Sequence, residues 1–560
     1  MAAAADEPTT LTPAAMAAVL AQLQAEFAGV KAEMAIKVAA LEDTITGLAH
    51  ENAVLKRRLY GNKTERSHTS ELQLALGDLL AGEAQLQRAL DQQVEDATAA
   101  APPPPEGTGT GTPRPHGRRN LLASKLPRVV LEILHEALEA RGCRRVGFED
   151  ATQLAYRPGG FYVLLKRLAK YEVHEHNEAT VVTTPSPATL FPKALLHTST
   201  IAHVLTSKFA LGTPHYRLEQ ALADQGVPLD RGLMGRYVEH AGNTLGATIV
   251  AAMWRDALAH GHVISTDATG ALIQPTKAKD GRSLACKKGH FFTAVVDADA
   301  VLFHYVERHT SEAVQQLFAA FRGVLQADAS AVYNILDRGP PPDVEDDTPG
   351  GVTLIGCWAH CRRYMFEAAL CRHPIGVQGL LRIRAMFAID RACRRVPRGE
   401  RTAYRATHLA PLFDEFFTWA RAARETAVGR NLATQALGYA LNQEVELRRV
   451  LADGDLPLDN TRAERALRKI VVGRKNWMFY GSDTHAEAAA AIFSLIASCR
   501  LHRLDPFAYL EEVLRVLPSW PMGRYLELAP ARWTATRARL NPDELTVPLG
   551  SFTVPPPVQP

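Results

Sequence analysis

Leu20, Phe27, Met34, Leu41, Leu48 and Leu55 recur every seven residues, and Val38, Ile45, Asn52 and Leu59 fall on the companion positions of the same heptad. Leucine at one seam, β-branched residues at the other and a single asparagine among them predict a parallel two-stranded coiled coil. A helix packed on its own chain is the alternative. A weaker helical stretch covers about Glu71–Glu95. Leu196–Gly242 is helical by periodicity, and Leu218–Ala241 within it resembles two helices about a turn at Gly226, with Leu229, Met234 and Tyr237 spaced for packing. Such a pair either enters a major groove or serves as scaffold.

Beyond that point the period changes. GHVISTDATGALIQ (Gly261–Gln274) reads as a strand with Asp267 in its middle, and HFFTAVVDADAVLFHYVER (His290–Arg308) as a hairpin turning at Asp297–Asp299. A helix at about Ser311–Arg322, a short strand ending at Asp328, a helix-like ASAVYNIL, a strand over Val352–Trp358 and a helix through AHCRRYMFEAAL follow. Later, Asp459 or Asn460 caps a helix running to roughly Ile470, with Ala463, Leu467, Ile470 and Val471 as its apolar stripe and Arg474 and Lys475 in the loop beyond.

Composition narrows the class. At ~150 residues per domain, 560 residues imply three or four domains, and 47% hydrophobic content suffices for a core. A net charge of +3 and a pI near 8.4 leave any nucleic-acid surface to local clustering. MAAAADEPTT lacks the basic and apolar regions of a signal peptide, and Ala488–Ala497 is too short to span a bilayer. Seven cysteines without regular spacing argue against a disulfide framework. A soluble protein of a reducing compartment is the expectation, with no membrane partner. Ala99–Arg119, with four consecutive prolines at Pro102–Pro105, reads as a linker.

The densest charge lies in DNTRAERALRKIVVGRKNWMFYGS (Asp459–Ser482), where Arg462, Arg465, Arg468, Lys469, Arg474 and Lys475 face a single acid, Glu464, within Thr461–Asn476. This is a surface for phosphates, or else a solvated helix in which Glu464 pairs with Arg468 one turn on. Trp477 and Phe479 offer faces for bases or side chains for a core. The segment resembles the signature around the last catalytic acid of DDE transposases of the insertion-sequence sixty-six family. LKRRLYGNKTERS (Leu55–Ser67), SKFALGTPHYRLEQ (Ser207–Gln220) and IFSLIASCRLHRLDPFAYLEEVL (Ile492–Leu514) are similar to the same family, and the likeness covers roughly Leu41–Trp533.

That resemblance implies two aspartates upstream, at the ends of strands. Strand, strand, strand, helix, strand, helix, strand is the order of an RNase H-like core, and Asp267, Asp328 and Glu464 occupy its three acidic places. They are 61 (328 − 267) and 136 (464 − 328) residues apart. A helical insertion at roughly Ile375–Leu456 accounts for the longer gap. Its Arg391, Arg394, Arg395, Arg398, Arg401 and Arg405 either flank DNA or brace the core. The fold expectation is α/β: an RNase H-like catalytic core with a helical insertion, preceded by an N-terminal coiled coil and a helical DNA-binding region. Its parts are a coiled-coil region (1–98), a Pro/Gly linker (99–120), a degenerate zinc-binding-like module (121–190), a helix-turn-helix-like region (191–255), the first part of the core (256–374), the insertion (375–456), the helix of the last acid with its basic loop (457–485), a C-terminal helical region (486–535) and a disordered tail (536–560).

Three carboxylates suit phosphodiester chemistry with two Mg²⁺ ions, Mn²⁺ being a substitute. In CWAHCRRYMF (Cys357–Phe366) the resemblance puts His360, Arg362 and Arg363 on DNA, with Arg462, Arg465, Arg468, Lys469, Arg474, Lys475 and Asn476, and leaves Cys357 and Cys361 to packing rather than to a metal. Structural zinc is not expected, because Cys143 is the only cysteine of the module and Val173 and His176 stand where a cysteine pair belongs. The implied activity is DNA cleavage at transposon ends and strand transfer into a target. The implied partners are double-stranded DNA, a second copy through the coiled coil and helper proteins of the same element. Ala268 and Ala329-Ser330 depart from the family's usual words, which keeps open an inactive DNA-binding or assembly subunit, or a nuclease that cuts without joining.

Overall fold

Two strands, β1 (Lys170–Glu175, KYEVHE) and the β-branched-rich β2 (Glu178–Thr183, EATVVT), pair antiparallel from Lys170↔Thr183 to Glu175↔Glu178. They are the described part of a unit of its own, Pro103–Ser186. The computed structural model describes residues 189–546 apart from 192–193, 195, 225–228, 276–284 and 338–350, together with Met34, 170–175, 178–183 and 552–557. The heptad region (Met34, which is helical, apart), the linker, Cys143 and His176 therefore lie outside the described residues.

In the larger unit, α1 (Thr198–Leu205) runs through a wider turn, Thr206–Ala210, to α2 (His215–Asp224). The long α3 (Arg231–Leu245) is capped by the Asp230 side chain on Leu233 N–H and continues through Gly246–Val250 into α4 (Ala251–His260). The strands follow. β3 (Val263–Ile273), β4 (Lys287–Val296) and β5 (Ala300–Val306) form an antiparallel meander, hinged at Asp297, whose carboxylate receives the N–H groups of His262 and Val263. After α5 (Ser311–Phe318), β6 (Val324–Gln326) and β7 (Thr353–Ile355) join β3 in parallel, giving the order β5-β4-β3-β6-β7. The architecture is thus mixed α/β, mostly helical about one mixed sheet.

Next come α6 (Trp358–Leu370), α7 (Pro374–Cys393), α8 (Arg401–His408), α9 (Ala410–Thr426), α10 (Leu432–Asn442) and α11 (Glu444–Arg448). These helices close on a core of their own, centred on the fully buried Trp358, whose rings lie 4.6, 5.3 and 5.8 Å from Phe413, Phe416 and Phe417. Val263 and Ile355 of the sheet belong to it, so the helical block rests on one side of β3 and β7. Several arginines of this block form ion pairs within it. Arg405 is buried, pairs with Asp390 at 2.7 Å and donates to the carbonyls of Val450, Asp453 and Leu456, while Arg394 takes the other Asp390 oxygen and Arg398 and Arg401 share Asp455. Arg405 and Arg401 brace the block from inside, while Arg394 and Arg398 pair from its surface, 64% and 81% exposed.

The last helices, α12 (Thr461–Trp477), α13 (Asp483–Leu501), α14 (Pro506–Val516), α15 (Pro530–Arg537) and α16 (Pro542–Thr546), complete the main core with α1–α4 and the sheet. Gly242 lets α3 approach α13 closely, since a Cβ there meets Ala488 at 2.6 Å. Ser494 and Ser498 of α13 hydrogen-bond the outward amides of β5, at Phe303 (2.8 Å) and Val301 (3.0 Å). Within the stretch expected as tail, Phe552 is buried under Arg515, Thr553 bonds Glu544, and the Pro555 and Pro556 carbonyls accept from Arg524 and Arg539. Arginine donors bind a proline-rich segment through its carbonyls, which composition does not reveal.

Candidate active site

Asp267 sits where β3 passes from full to partial burial, its Oδ1 accepting from Ala268 N–H at 2.7 Å. Burial pushes its carboxyl up to about 7. That N–H opposes the rise, the charges of Asp328 and Glu464 add to it, and Arg363 counters them. Asp328 follows β6 by two residues, bonded at Oδ1 by Ser330 N–H at 3.2 Å. Glu464 lies in the first turn of α12, its side chain 41% exposed, with Oε1 3.7 Å from His360 Nε2 on α6. Two acids distant in sequence, Asp328 and Glu464, thus act on Asp267.

A buried polar seam brings them there. Gln326 of β6 accepts from Ser265 Oγ (3.2 Å) and donates to Pro457 O (2.7 Å) and Gly356 O (3.4 Å), stitching β3, the β7–α6 turn and the lead-in to α12. Asn460, fully buried, donates Nδ2 to Thr266 O at 2.6 Å and its backbone N–H to Cys357 Sγ at 3.2 Å. Asp459, not Asn460, receives Thr461 N–H at 2.9 Å, so the asparagine is free to tie the helix to β3 beside Asp267. Sequence reasoning reads Asn460 only as a cap and passes over Gln326; a polar residue inside the apolar GVLQA run was the available signal.

The polar groups around these residues are underbonded. His360 Nδ1, Asn460 Oδ1, Thr266 Oγ1 and Tyr333 OH are buried without a well-formed hydrogen bond. Burial lowers the His360 pKa, with Glu464 and Asp328 pulling it back. Cys357 and Cys361 are buried, and burial lifts the Cys357 thiol to about 12. Arg362 and Arg363 are exposed beside the acids' helix partner, and Arg363 acts on both Asp267 and His360.

Along α12 the cations divide. Arg465, Arg468, Lys469 and Lys475 are exposed, whereas Arg462 reaches Asp297 O, Arg474 reaches Gly270 O and Asn476 holds Gly212 O at 2.8 Å. Arg474, Lys475 and Asn476 lie in the helix, which runs to Trp477 rather than ending near Ile470. Trp477 packs edge-on to Phe209 (6.2 Å) under Lys208, while Phe479 stays exposed.

A family model described as the Transposase IS66 family matches residues 193–488, more than half of the chain. The chain belongs to the IS66 transposase family. Further models, described as the IS66 C-terminal element and as Transposase C of IS166 homeodomain, match residues 494–531 and 47–131. The chain is 27% identical over 512 residues to the uncharacterized protein y4hP of Sinorhizobium fredii, covering 86% of this chain and 88% of the relative. It is 25% identical over 537 residues to the uncharacterized y4qI of the same organism, covering 92% and 95%. No solved structure matches. Glu464 and both aspartates fall inside the IS66 match, as do His360 and the basic face of α12.

No helix of the described residues is long and apolar enough to cross a membrane. Among those residues no group of three or more His, Cys, Asp or Glu is drawn tightly enough to hold one ion, so the three acids share a field without closing on a point. Their donor set still fits a hard divalent cation: carboxylate oxygens only, and an Asp267 carboxyl held near neutrality by burial and like charge, which a cation relieves.

Proposed function

We propose that this IS66 transposase is a DDE-type enzyme with an RNase H-like core, which hydrolyses the phosphodiester at an element end and directs the freed 3′-OH at a target phosphate. The observation that supports the proposal is that Asp328, just past β6, and Glu464, in the first turn of α12, both act electrostatically on the largely buried Asp267 of β3. The β5-β4-β3-β6-β7 order, three strands antiparallel and two parallel, supports the fold assignment.

Asp267, Asp328 and Glu464 are the residues to hold two Mg²⁺ or Mn²⁺ ions. Such ions supply activation of the attacking oxygen and charge relief on the leaving one. Arg362 and Arg363 lie on the α6 side of the acids and bind the phosphates flanking the scissile bond. Arg465, Arg468, Lys469 and Lys475 track the backbone along α12. Arg462, Arg474 and Asn476 hold α12 to the hairpin turn, to β3 and to Gly212, which fixes Glu464 rather than DNA. Double-stranded DNA is the partner, and the heptad region pairs two copies so that two ends are held at once.

A strand-transfer assay with Mg²⁺, on DNA bearing the terminal repeats of the encoding element, compares the wild type with Asp267→Asn, Asp328→Asn and Glu464→Gln. Loss of both cleaved and joined product in all three is expected; unchanged product in any of them removes that acid from the site. A second reading, a subunit that binds ends without cutting, is favoured by His360 standing 3.7 Å from Glu464. It predicts end-binding insensitive to Mg²⁺ and no cleaved product. A nuclease without joining activity leaves cut ends alone.

A further inference from the structure

Four non-glycine residues carry a positive φ among the described residues: Asp297, Arg372, Met478 and Arg503. Asp297 turns a hairpin, and Arg372 and Arg503 follow helix ends closely. Met478, just past α12, has φ 60° and ψ −46°, outside the left-handed helical well and costly by about 1–3 kcal/mol. Its neighbours enforce that conformation. Trp477 is packed on Phe209, Phe479 N–H bonds Trp477 O at 2.6 Å, and the buried Tyr480 exchanges backbone hydrogen bonds with Leu272 (2.9 Å) and Gln274 (2.8 Å).

The strained turn faces two large apolar side chains into solvent, Met478 at 68% and Phe479 at 43% exposure. Burying them would have been the cheaper arrangement, and Tyr480 next door is buried. Cations lead up to the pair. Arg465, Arg468, Val472 and Lys475 recur at spacings of three and four on the exposed side of α12, which ends at Trp477 just before the pair. An apolar tip beyond a cationic stripe complements a polymer that is anionic outside and apolar between its stacked bases.

We infer that Met478 and Phe479 form a wedge that enters between base pairs of duplex DNA while the exposed cations of α12 hold the adjacent phosphates. The wedge rests on the DNA-joining function above and extends it to how the duplex is gripped. Proteins that insert such side chains unstack and kink the step they enter. Met478 follows Glu464 by fourteen residues (478 − 464), about 21 Å at ~1.5 Å per residue. The distorted step therefore lies no more than about six base pairs from the phosphate at Glu464.

The test uses the full chain without divalent metal, so cleavage plays no part. Labelled duplex is compared with the same duplex carrying one mispaired step, where the unstacking cost is already met. The wild type is expected to prefer the mispaired duplex by on the order of tenfold. The Met478→Ser/Phe479→Ser variant is expected to bind paired duplex with the wild-type salt dependence, to unfold at the wild-type midpoint and to lose the preference. A fluorescent adenine analogue in the duplex brightens with the wild type and stays quenched with the variant. A variant that keeps the preference overturns the wedge, as does a variant whose oligomeric mass falls, which assigns the pair to a second copy. A wild type that binds both duplexes equally removes the wedge alone; one that binds no duplex removes the DNA-joining function with it.

Discussion

Replacing Asp267 with Asn separates the cost of holding that carboxyl from its use. Its pKa rises from 3.8 to about 7, chiefly because burial disfavours the charged form, with Asp328 and Glu464 adding to it. At 1.36 kcal/mol per pKa unit, the metal-free fold gives up about 4 kcal/mol by ionising this side chain. A raised carboxyl means that the folded state holds its proton more tightly than the unfolded chain. The contribution is therefore full below about pH 4 and is lost as pH climbs through 7. Asparagine mimics the protonated form at every pH. With chelator present, Asp267→Asn should exceed the wild type in urea stability, and the gap should widen by roughly 2–3 kcal/mol between pH 5 and pH 8. Millimolar Mg²⁺ should close the gap at pH 8 by stabilising only the wild type. A gap that stays constant with pH, with or without Mg²⁺, would refute the claim that burial and like charge strain this carboxylate.

Two further substitutions probe what holds the acids in place. Asn460→Ala removes the 2.6 Å bond to Thr266 O. It should cost about 1–3 kcal/mol and, by loosening the turn that carries Glu464, reduce strand transfer by up to about 100-fold while DNA affinity is kept; parallel loss of binding and joining would argue against a positioning role. Arg405→Met leaves Asp390 buried with Arg394 alone and should lower unfolding stability by about 3 kcal/mol, an effect that a DNA-facing arginine would not show in the absence of DNA.

Where local pattern governs, the sequence was readable. The alternation around Asp267 and the Asp297–Asp299 turn specify β3–β5 as observed, because each strand is long enough for its period to register. The shorter strands were less legible. The pattern over Val352–Trp358 overruns β7, since Cys357 precedes a helix that Trp358 begins. The end of α12 was missed because nothing after Ile470 stops a helix; Gly473, normally a breaker, is buried where its bare Cα admits the Trp477 ring. The element order marked out Asp267, Asp328 and Glu464, and the charges of the last two act on Asp267. The partition of the cations was not legible. Arg462, Arg474 and Arg405 find carbonyls and carboxylates supplied by segments far away in sequence, and no spacing rule encodes those encounters.

The hydroxyls of Ser494 and Ser498 have a consequence for assembly. β5 is the outer strand of the meander, and a bare outer strand is a template to which any extended segment, including the same strand of another copy, can add. With two serines of α13 occupying its amides, that margin of the sheet is closed to strand addition. Copies of this protein that come together must then meet through side chains, and Ser494→Ala/Ser498→Ala would reopen a route to aggregation that the helix now blocks.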